Sequence, residues 1–343
     1  MTAASLADLR DFASSLFGAT PSEAHALTGG GSDRRYFRIA VNGVSVIGVI
    51  SDNAAEQRAF LLFTRHFQSR GIPVPAIHGV DEARGLYLLE DLGPLTLRDH
   101  LALLRTEPGG RAPAEQALHA AIRWLPVIQV KGGKGLDYSA CLAQPDMDGA
   151  TYAADIRLFL ERFVARYAPG LWPPPAAASA IDALVSRALA LDSSHFCYRD
   201  FQTRNIMWRD GRPCYIDYQS GRRGPLVYDL ASILYSPDSG LVDAERARLI
   251  DTYLAALADC GPRPDRQDFL AAFHPMVLLR RLQALGAYAR LAGEKAKPEF
   301  LAHVPASLAD LRALLHPHAE GLEYPALRDW LLKVFEQAER SLN

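Results

Sequence analysis

The chain has 343 residues, with 37 Lys+Arg against 39 Asp+Glu and a formal net charge of −2; this balance excludes nonspecific nucleic-acid or polyanion binding as a main function. Apolar residues make up 49% and charged residues 22%, which excludes disorder over most of the chain and, with the length, points to two domains or one large domain of two lobes. Only five of the cations are lysines, and none of these lies in the first 130 residues; a GC-rich coding genome that favours Ala and Arg is one explanation.

Residues 5–17 carry Leu6, Leu9, Phe12, Leu16 and Phe17 at helical spacing, and Gly18 is a natural stop. A glycine loop, Gly29-Gly30-Gly31-Ser32-Asp33, then opens two β-rich runs, 36–41 and 44–50, separated by Asn42-Gly43. Asn-Gly supplies the positive φ that both central positions of a tight hairpin need. Residues 54–70 read as a helix ended by Gly71, and Ile72-Pro73-Val74-Pro75 as an extended segment, because proline disfavours helix at the residue before it. The runs 77–80 and 86–90 predict a second hairpin, and Asp91-Leu92-Gly93-Pro94 a hinge. The first 93 residues thus predict a small β-rich N-lobe, and residues 94–343 a larger C-lobe.

Beyond the hinge the pattern is mainly helical. Thr96 with Asp99 resembles a capping box for a helix to about Arg105. Further helices are predicted over 113–129, 151–167, 176–191, 226–236, 243–259, 266–291, 305–315 and 324–341, with 131–149 and 169–175 as the more mobile connections. One β island interrupts them: 196–198, then 205–209 and 213–217 around the turn Asp210-Gly211. Cys141, Cys197, Cys214 and Cys260 lack metal-ligand spacing and read as buried thiols in a reducing compartment. No stretch approaches the roughly 18 apolar residues of a membrane span, and the amphipathic start lacks a basic-then-apolar leader, so a soluble cytoplasmic protein is expected.

The β island concentrates the polar chemistry. Phosphoryl transfer from a nucleotide needs one carboxylate to accept the acceptor's proton, and oxygen ligands to hold magnesium near the phosphates. Asp200, Asn205 and Asp217 offer these groups, and a hairpin between the last two would bring them to neighbouring strand ends.

In these motifs the chain resembles the aminoglycoside phosphotransferase and choline kinase superfamily, relatives of protein kinases. The motifs are GGGSDRRYF, YLLEDLG, YRDFQTRNIM, YIDYQ and YDLASIL, in family order over most of the chain. The resemblance implies an α+β, bilobal protein-kinase-like fold with a small β-rich N-lobe and a larger, mainly helical C-lobe. It implies Asp200 as catalytic base, Asn205 and Asp217 on Mg2+, and ATP held by Gly30, Gly31, Ser32 and backbone groups from Glu90 to Leu92. Within the superfamily, RRYFRI, DFQTRNIM, IDYQSGRRGPLVYDLASIL and LLRRLQALGAYARL look most like bacterial N-acetylmuramate/N-acetylglucosamine 1-kinases, which supply sugar 1-phosphates in peptidoglycan recycling. Arg204 and Gln219 are then the candidates for substrate or phosphate contact. A small-molecule sugar is the expected partner, with no nucleic acid, membrane or obligate protein partner indicated.

Two departures stand out. Tyr198 occupies the place of the usual His two residues before the catalytic Asp. Kinases also carry a strand lysine that pairs with the phosphates and a helix Glu, whereas Val46-Ile47-Gly48-Val49-Ile50 has none, which leaves the helix candidate Glu56 without an obvious partner. Of the arginines beside the glycine loop, Arg34, Arg35 and Arg38, we expect Arg35 or Arg38 to take over part of the phosphate charge compensation, which arginine can do bidentately though from a different position, or else magnesium to carry it alone. Asp229 reads as a helix cap or structural partner of the catalytic loop, and Arg280 and Arg281 as helix-surface or loop-binding residues. The alternatives are a kinase for another hydroxyl acceptor (another hexose, an aminoglycoside or a choline-like amine) and a nucleotide-binding pseudokinase.

Overall fold

A computed structural model describes residues 4–27, 34–316 and 324–342; the glycine loop with Gly30, Gly31 and Ser32 lies outside them. The chain forms two compact units, 1–145 with 203–221 and 146–202 with 222–343. The hinge expected at 91–94 falls inside the first unit.

Helix α1 (Leu6–Phe17) starts at a Ser5/Asp8 capping box and ends at Gly18 in the left-handed conformation. It packs on an antiparallel sheet of β1 (Glu23–Leu27), β2 (Arg35–Val41), β3 (Val44–Ile50), β4 (Ile77–Asp81) and β5 (Leu86–Glu90), ordered β1-β2-β3-β5-β4, with helix α2 (Ala54–Ser69) between β3 and β4 in sequence. Asn42 and Gly43 both have positive φ, 50° and 74°, as the hairpin requires. The period of two puts Phe37, Ile39, Val41, Val46, Ile50, Leu86 and Leu88 against Leu9 and Ala13 of α1. Gly48 is required there, since a Cβ would meet Leu9 and Ile39 methyl carbons at 2.7 Å. Tyr87 carries the adjoining sheet surface to α2, where it stacks on Phe60 at 5.4 Å.

Helices α3 (Leu97–Thr106) and α4 (Arg111–Ile122) follow, and then a π-helical turn, Val127–Gly132. The first unit is completed later in the chain by a hairpin that is described below with the site.

The second unit begins with α5 (Gly149–Leu158), a π-helical turn over Phe159–Val164, and α6 (Ala165–Tyr167), then α7 (Pro175–Leu189) and the short strand β6 (His195–Cys197). After the excursion through β7 (Ile206–Arg209) and β8 (Arg212–Tyr215) in the first unit, β9 (Arg222–Gly224) pairs antiparallel with β6. Helices α8 (Val227–Leu234), α9 (Asp243–Ala258), α10 (Arg266–Glu294), α11 (Val304–Leu314) and α12 (Pro325–Leu342) complete it. The long α10 is central: Phe273, Val277, Leu278, Leu282 and Leu285 are fully buried, and Gly286 lets it approach the Leu158–Phe159 backbone, where a Cβ would clash at 2.7 Å. Of the four cysteines, all free, only Cys197 is fully buried. Among the described residues no helix is long and apolar enough to cross a membrane.

Candidate active site

The candidate residues fall into two constellations, one in each unit. In the first, the β7–β8 hairpin turns on Asp210 and Gly211, both at positive φ (51° and 73°), with Ile206 opposite Tyr215. The pairing continues one step further, where Ile216 N–H donates to Asn205 C=O at 3.1 Å. Asn205 thus lies across from the residue before Asp217, as a hairpin between them predicts. The hairpin is anchored by Trp208 N–H to Leu95 C=O and Tyr215 N–H to Pro73 C=O, both 2.8 Å.

Asp217 itself has φ of 68°, a left-handed conformation that costs an ordinary L-residue about 1–2 kcal/mol and that Asp tolerates better than most. Its neighbour Tyr218 is fully buried, parallel to Phe60 at 5.5 Å and edge-on to Phe67 at 5.2 Å, with its hydroxyl 2.6 Å from that of Thr64. Helix α2 therefore grips the chain beside Asp217. Two donors converge on one carboxylate oxygen, Oδ1: Arg34 Nη2 at 2.8 Å and Gln219 Nε2 at 2.8 Å. Arg34 Nε reaches Glu56 on α2 at 3.1 Å, and Gln219 Nε2 lies 3.3 Å from the same carboxylate.

Arg34 is the partner that sequence reasoning did not find for Glu56. Its side chain is 3% exposed, with the guanidinium 5.4 Å from the Tyr36 ring centroid and 5.8 Å from that of Phe60. Burial opposes its charge, but Tyr36, Tyr87, Asp217 and Glu56 outweigh burial and raise its pKa, so it stays protonated. Arg34, just before β2, shares one face of the strand with Tyr36 and Arg38, and the register sets Tyr36 opposite Val49 and Arg38 opposite Ile47. Glu56, which has no lysine on β3 to pair with, pairs with Arg34 instead. Arg38 forks onto Asp91 at 2.7 and 3.0 Å, and Arg35 is exposed and donates to Ala4 C=O at 2.6 Å. The arginine that the fold buries with Glu56 and Asp217 is Arg34 rather than Arg35 or Arg38.

At the hinge, Glu90 N–H donates to Ala76 C=O at 2.8 Å, and its carboxylate holds Ala76 N–H and Arg209. Leu92 is buried.

The second unit holds the loop that carries Asp200. Asp229, fully buried in the first turn of α8, accepts from Tyr198 N–H at 2.8 Å and Arg199 N–H at 3.0 Å. Arg199, at φ 72°, forks onto Asp155 of α5 at 3.0 and 3.1 Å and donates to the Tyr228 hydroxyl at 2.7 Å. Tyr198 is packed edge-on against Phe201 at 5.4 Å, so an aromatic core contact stands where a histidine is usual. Asp200 follows this braced turn with its side chain 41% exposed. The Arg280 guanidinium is 3.9 Å from Asp200 Oδ1 and donates to Ser232 at 3.2 Å and Gln283 at 2.5 Å. Arg280 and Arg281 are both buried, the latter bonded to Ser307; neither forms the helix surface that the sequence allowed. Arg204 is half-buried.

The donors suit magnesium. Asn205 and Asp217 offer hard oxygens carrying one charge between them, and Gln219 Oε1, buried and without a hydrogen-bond partner among the described residues, is an acceptor that water on a hydrated cation can use. Among the described residues no cluster of three or more His, Cys, Asp or Glu could hold a metal by itself.

Residues 23–270 match the phosphotransferase enzyme family known as APH. The chain belongs to this family. It is a phosphotransferase acting on a hydroxyl group. Relatives include an N-acetylmuramate/N-acetylglucosamine kinase of Pseudomonas aeruginosa, 28% identical over 83% of this chain and 81% of that one, and one of the same name from Caulobacter vibrioides, 30% identical over 72% and 67%. A choline/ethanolamine kinase family protein from Mesorhizobium loti matches in structure with a TM-score of 0.58 at 16% identity, over 96% of this chain and 99% of that one. A mutant of aminoglycoside phosphotransferase APH(4)-Ia in ternary complex with ADP and hygromycin B matches with 0.56 at 15%, over 89% and 98%. The phosphotransferase has the protein-kinase-like fold of these neighbours, with a β-sheet N-terminal region and a mostly helical C-terminal part.

Proposed function

We propose that this phosphotransferase is an ATP- and magnesium-dependent sugar kinase that phosphorylates the anomeric hydroxyl of N-acetylmuramate or N-acetylglucosamine, a step that returns peptidoglycan sugars to use. The observation that carries the kinase chemistry is the contrast between Asp217, gripped through one oxygen, and Asp200, half-exposed on a braced loop. The names of the relatives support the substrate.

In this reading Asp200 accepts the hydroxyl proton as the sugar oxygen attacks the γ-phosphorus. The bond to the β,γ-bridging oxygen breaks, and ADP leaves with that electron pair. Asn205 and Asp217 would hold magnesium, which would supply charge neutralisation to the phosphates. By the family resemblance, Gly30, Gly31 and Ser32 would bind the phosphates, and backbone groups from Glu90 to Leu92 would bind adenine. Arg199, Asp155 and Asp229 keep the Asp200 backbone fixed, so the base is pre-positioned. Arg204 and Gln219 border the transferred phosphate or the sugar.

The test is a Mg-ATP assay across N-acetylmuramate, N-acetylglucosamine, glucosamine, glucose, mannose, galactose and an aminoglycoside, with phosphorus NMR to locate the ester. A phosphate on C1 of an N-acetylated sugar is expected. An ester at C6 would overturn the anomeric assignment. ATP binding without transfer to any acceptor would favour a pseudokinase.

A further inference from the structure

We propose that Arg34 is a positioning residue for the magnesium ligand Asp217: by occupying Oδ1 it presents Oδ2 to the cation, and through Glu56 it ties that presentation to helix α2. The inference rests on the reading of Asp217 as a metal ligand.

The geometry has three parts. Both donors to Asp217, Arg34 Nη2 and Gln219 Nε2, choose Oδ1. A carboxylate with one oxygen taken by two fixed donors loses its rotational freedom, and its other oxygen is left to coordinate; outer partners of this sort orient metal ligands generally. Second, Arg34 is immobilised. Its Nε is held by Glu56, its guanidinium lies near the Tyr36 and Phe60 rings, and its side chain is almost wholly buried. A guanidinium can span two carboxylates in a fixed fork, whereas an ammonium is a point charge on a flexible stem. Third, Asp217 sits on left-handed backbone, so the chain alone does not favour the orientation that the two donors enforce.

The division of labour therefore differs from that of a strand lysine, which reaches the phosphates. Here the helix carboxylate, the buried cation and the metal-motif carboxylate form one chain, Glu56–Arg34–Asp217. Its product is the orientation of a ligand. Arg34 acts through Asp217 and needs no contact with ATP.

The experiment compares wild type with Arg34→Gln, Arg34→Lys, Gln219→Ala and Arg38→Ala. Mn2+ is titrated by electron paramagnetic resonance with and without AMP-PNP, AMP-PNP affinity is measured in EDTA by calorimetry, and the unfolding midpoint of each variant is recorded. Arg34→Gln should weaken Mn2+ binding by about 10- to 100-fold, the usual effect of losing an outer partner, and change metal-free AMP-PNP affinity by less than about threefold. Gln219→Ala should move in the same direction by less, Arg34→Lys should recover part of the loss, and Arg38→Ala should match wild type. The midpoint does not decide the matter, because a purely structural role would lower it without a metal-specific change. Unchanged Mn2+ binding in folded Arg34→Gln overturns the proposal, as does a loss confined to metal-free nucleotide affinity. If Arg34→Gln does not fold, an unchanged Mn2+ affinity in Gln219→Ala and Arg34→Lys overturns it instead. Wild type that binds AMP-PNP but no Mn2+ refutes the metal reading of Asp217 itself, and this inference with it.

Discussion

Asp217 and Asp200 are both carboxylates approached by a buried arginine, yet the two surroundings are built differently. In the first unit Asp217 receives two donors at 2.8 Å on a single oxygen and is flanked by a tyrosine locked into an aromatic cluster. In the second unit the hydrogen bonds go to the backbone before Asp200, through Asp229 and the Arg199–Asp155 fork, while Arg280 stays 3.9 Å from the side chain. The proposed roles account for the difference, since a metal ligand profits from a fixed orientation and a base must take and release a proton. The first is held by its side chain, the second by its main chain.

The largest expected effect sharpens the Asp200 half. Asp200→Asn keeps the loop geometry and removes the base, and turnover should fall by about 10²- to 10⁴-fold; steady-state kinetics with N-acetylmuramate read it, and near-wild-type turnover would remove Asp200 from the chemistry. Next comes the brace. Asp229→Asn replaces one of two accepting oxygens by a donor facing backbone N–H groups in a fully buried position, at a cost of about 2 kcal/mol in unfolding free energy. Urea denaturation should show that loss, with turnover reduced as well. Full stability in this variant would mean that the loop is held by something else.

The smallest effect tests whether Arg34 is special among its neighbours. Arg38→Ala removes the fork onto Asp91 and should cost about 1 kcal/mol, without altering metal dependence. Burial raises the Asp91 pKa, but hydrogen bonds from Arg38, Ser45 and the Gly93 N–H outweigh it and leave the carboxyl below its usual value. A lowered acid pKa stabilises the fold fully above the unfolded value of about 3.9 and loses that contribution as pH falls through the folded value. The gap between wild type and Arg38→Ala should therefore close below about pH 4. A gap that widens there would contradict this assignment.

Much of this architecture is legible in the sequence wherever a single residue type forces a backbone choice. Asn42-Gly43 and Asp210-Gly211 mark their hairpins because both positions need positive φ. The helices follow from spacing, as in α1 and α10. By contrast β1, Glu-Ala-His-Ala-Leu, alternates only polar residues with alanine, which has little strand preference, and is a strand because it pairs with the edge of β2. The three-residue β9, Arg-Arg-Gly, is extended because β6 pairs with it. The predicted helix over 113–129 instead ends at Ile122 and resumes as a π-helical turn at Val127.

The site follows the same rule. Asn205 and Asp217 are joined by a hairpin readable from Asp210-Gly211. Arg34 was hidden, because it lies just before β2, where the period of two has not yet begun, among three arginines that composition cannot rank. The signal available was indirect: a helix glutamate without a lysine, and a cation two residues before the Tyr36–Val49 pair.

The measurement that tests the contrast most directly is calorimetric binding of Mg-ATP to Asp200→Asn and Asp217→Asn, side by side with turnover. Asp200→Asn should bind Mg-ATP within about threefold of wild type while transfer is lost, and Asp217→Asn should lose the magnesium-dependent part of the affinity. Equal loss of Mg-ATP affinity in both variants, or none in either, would contradict the separate roles assigned to the two carboxylates.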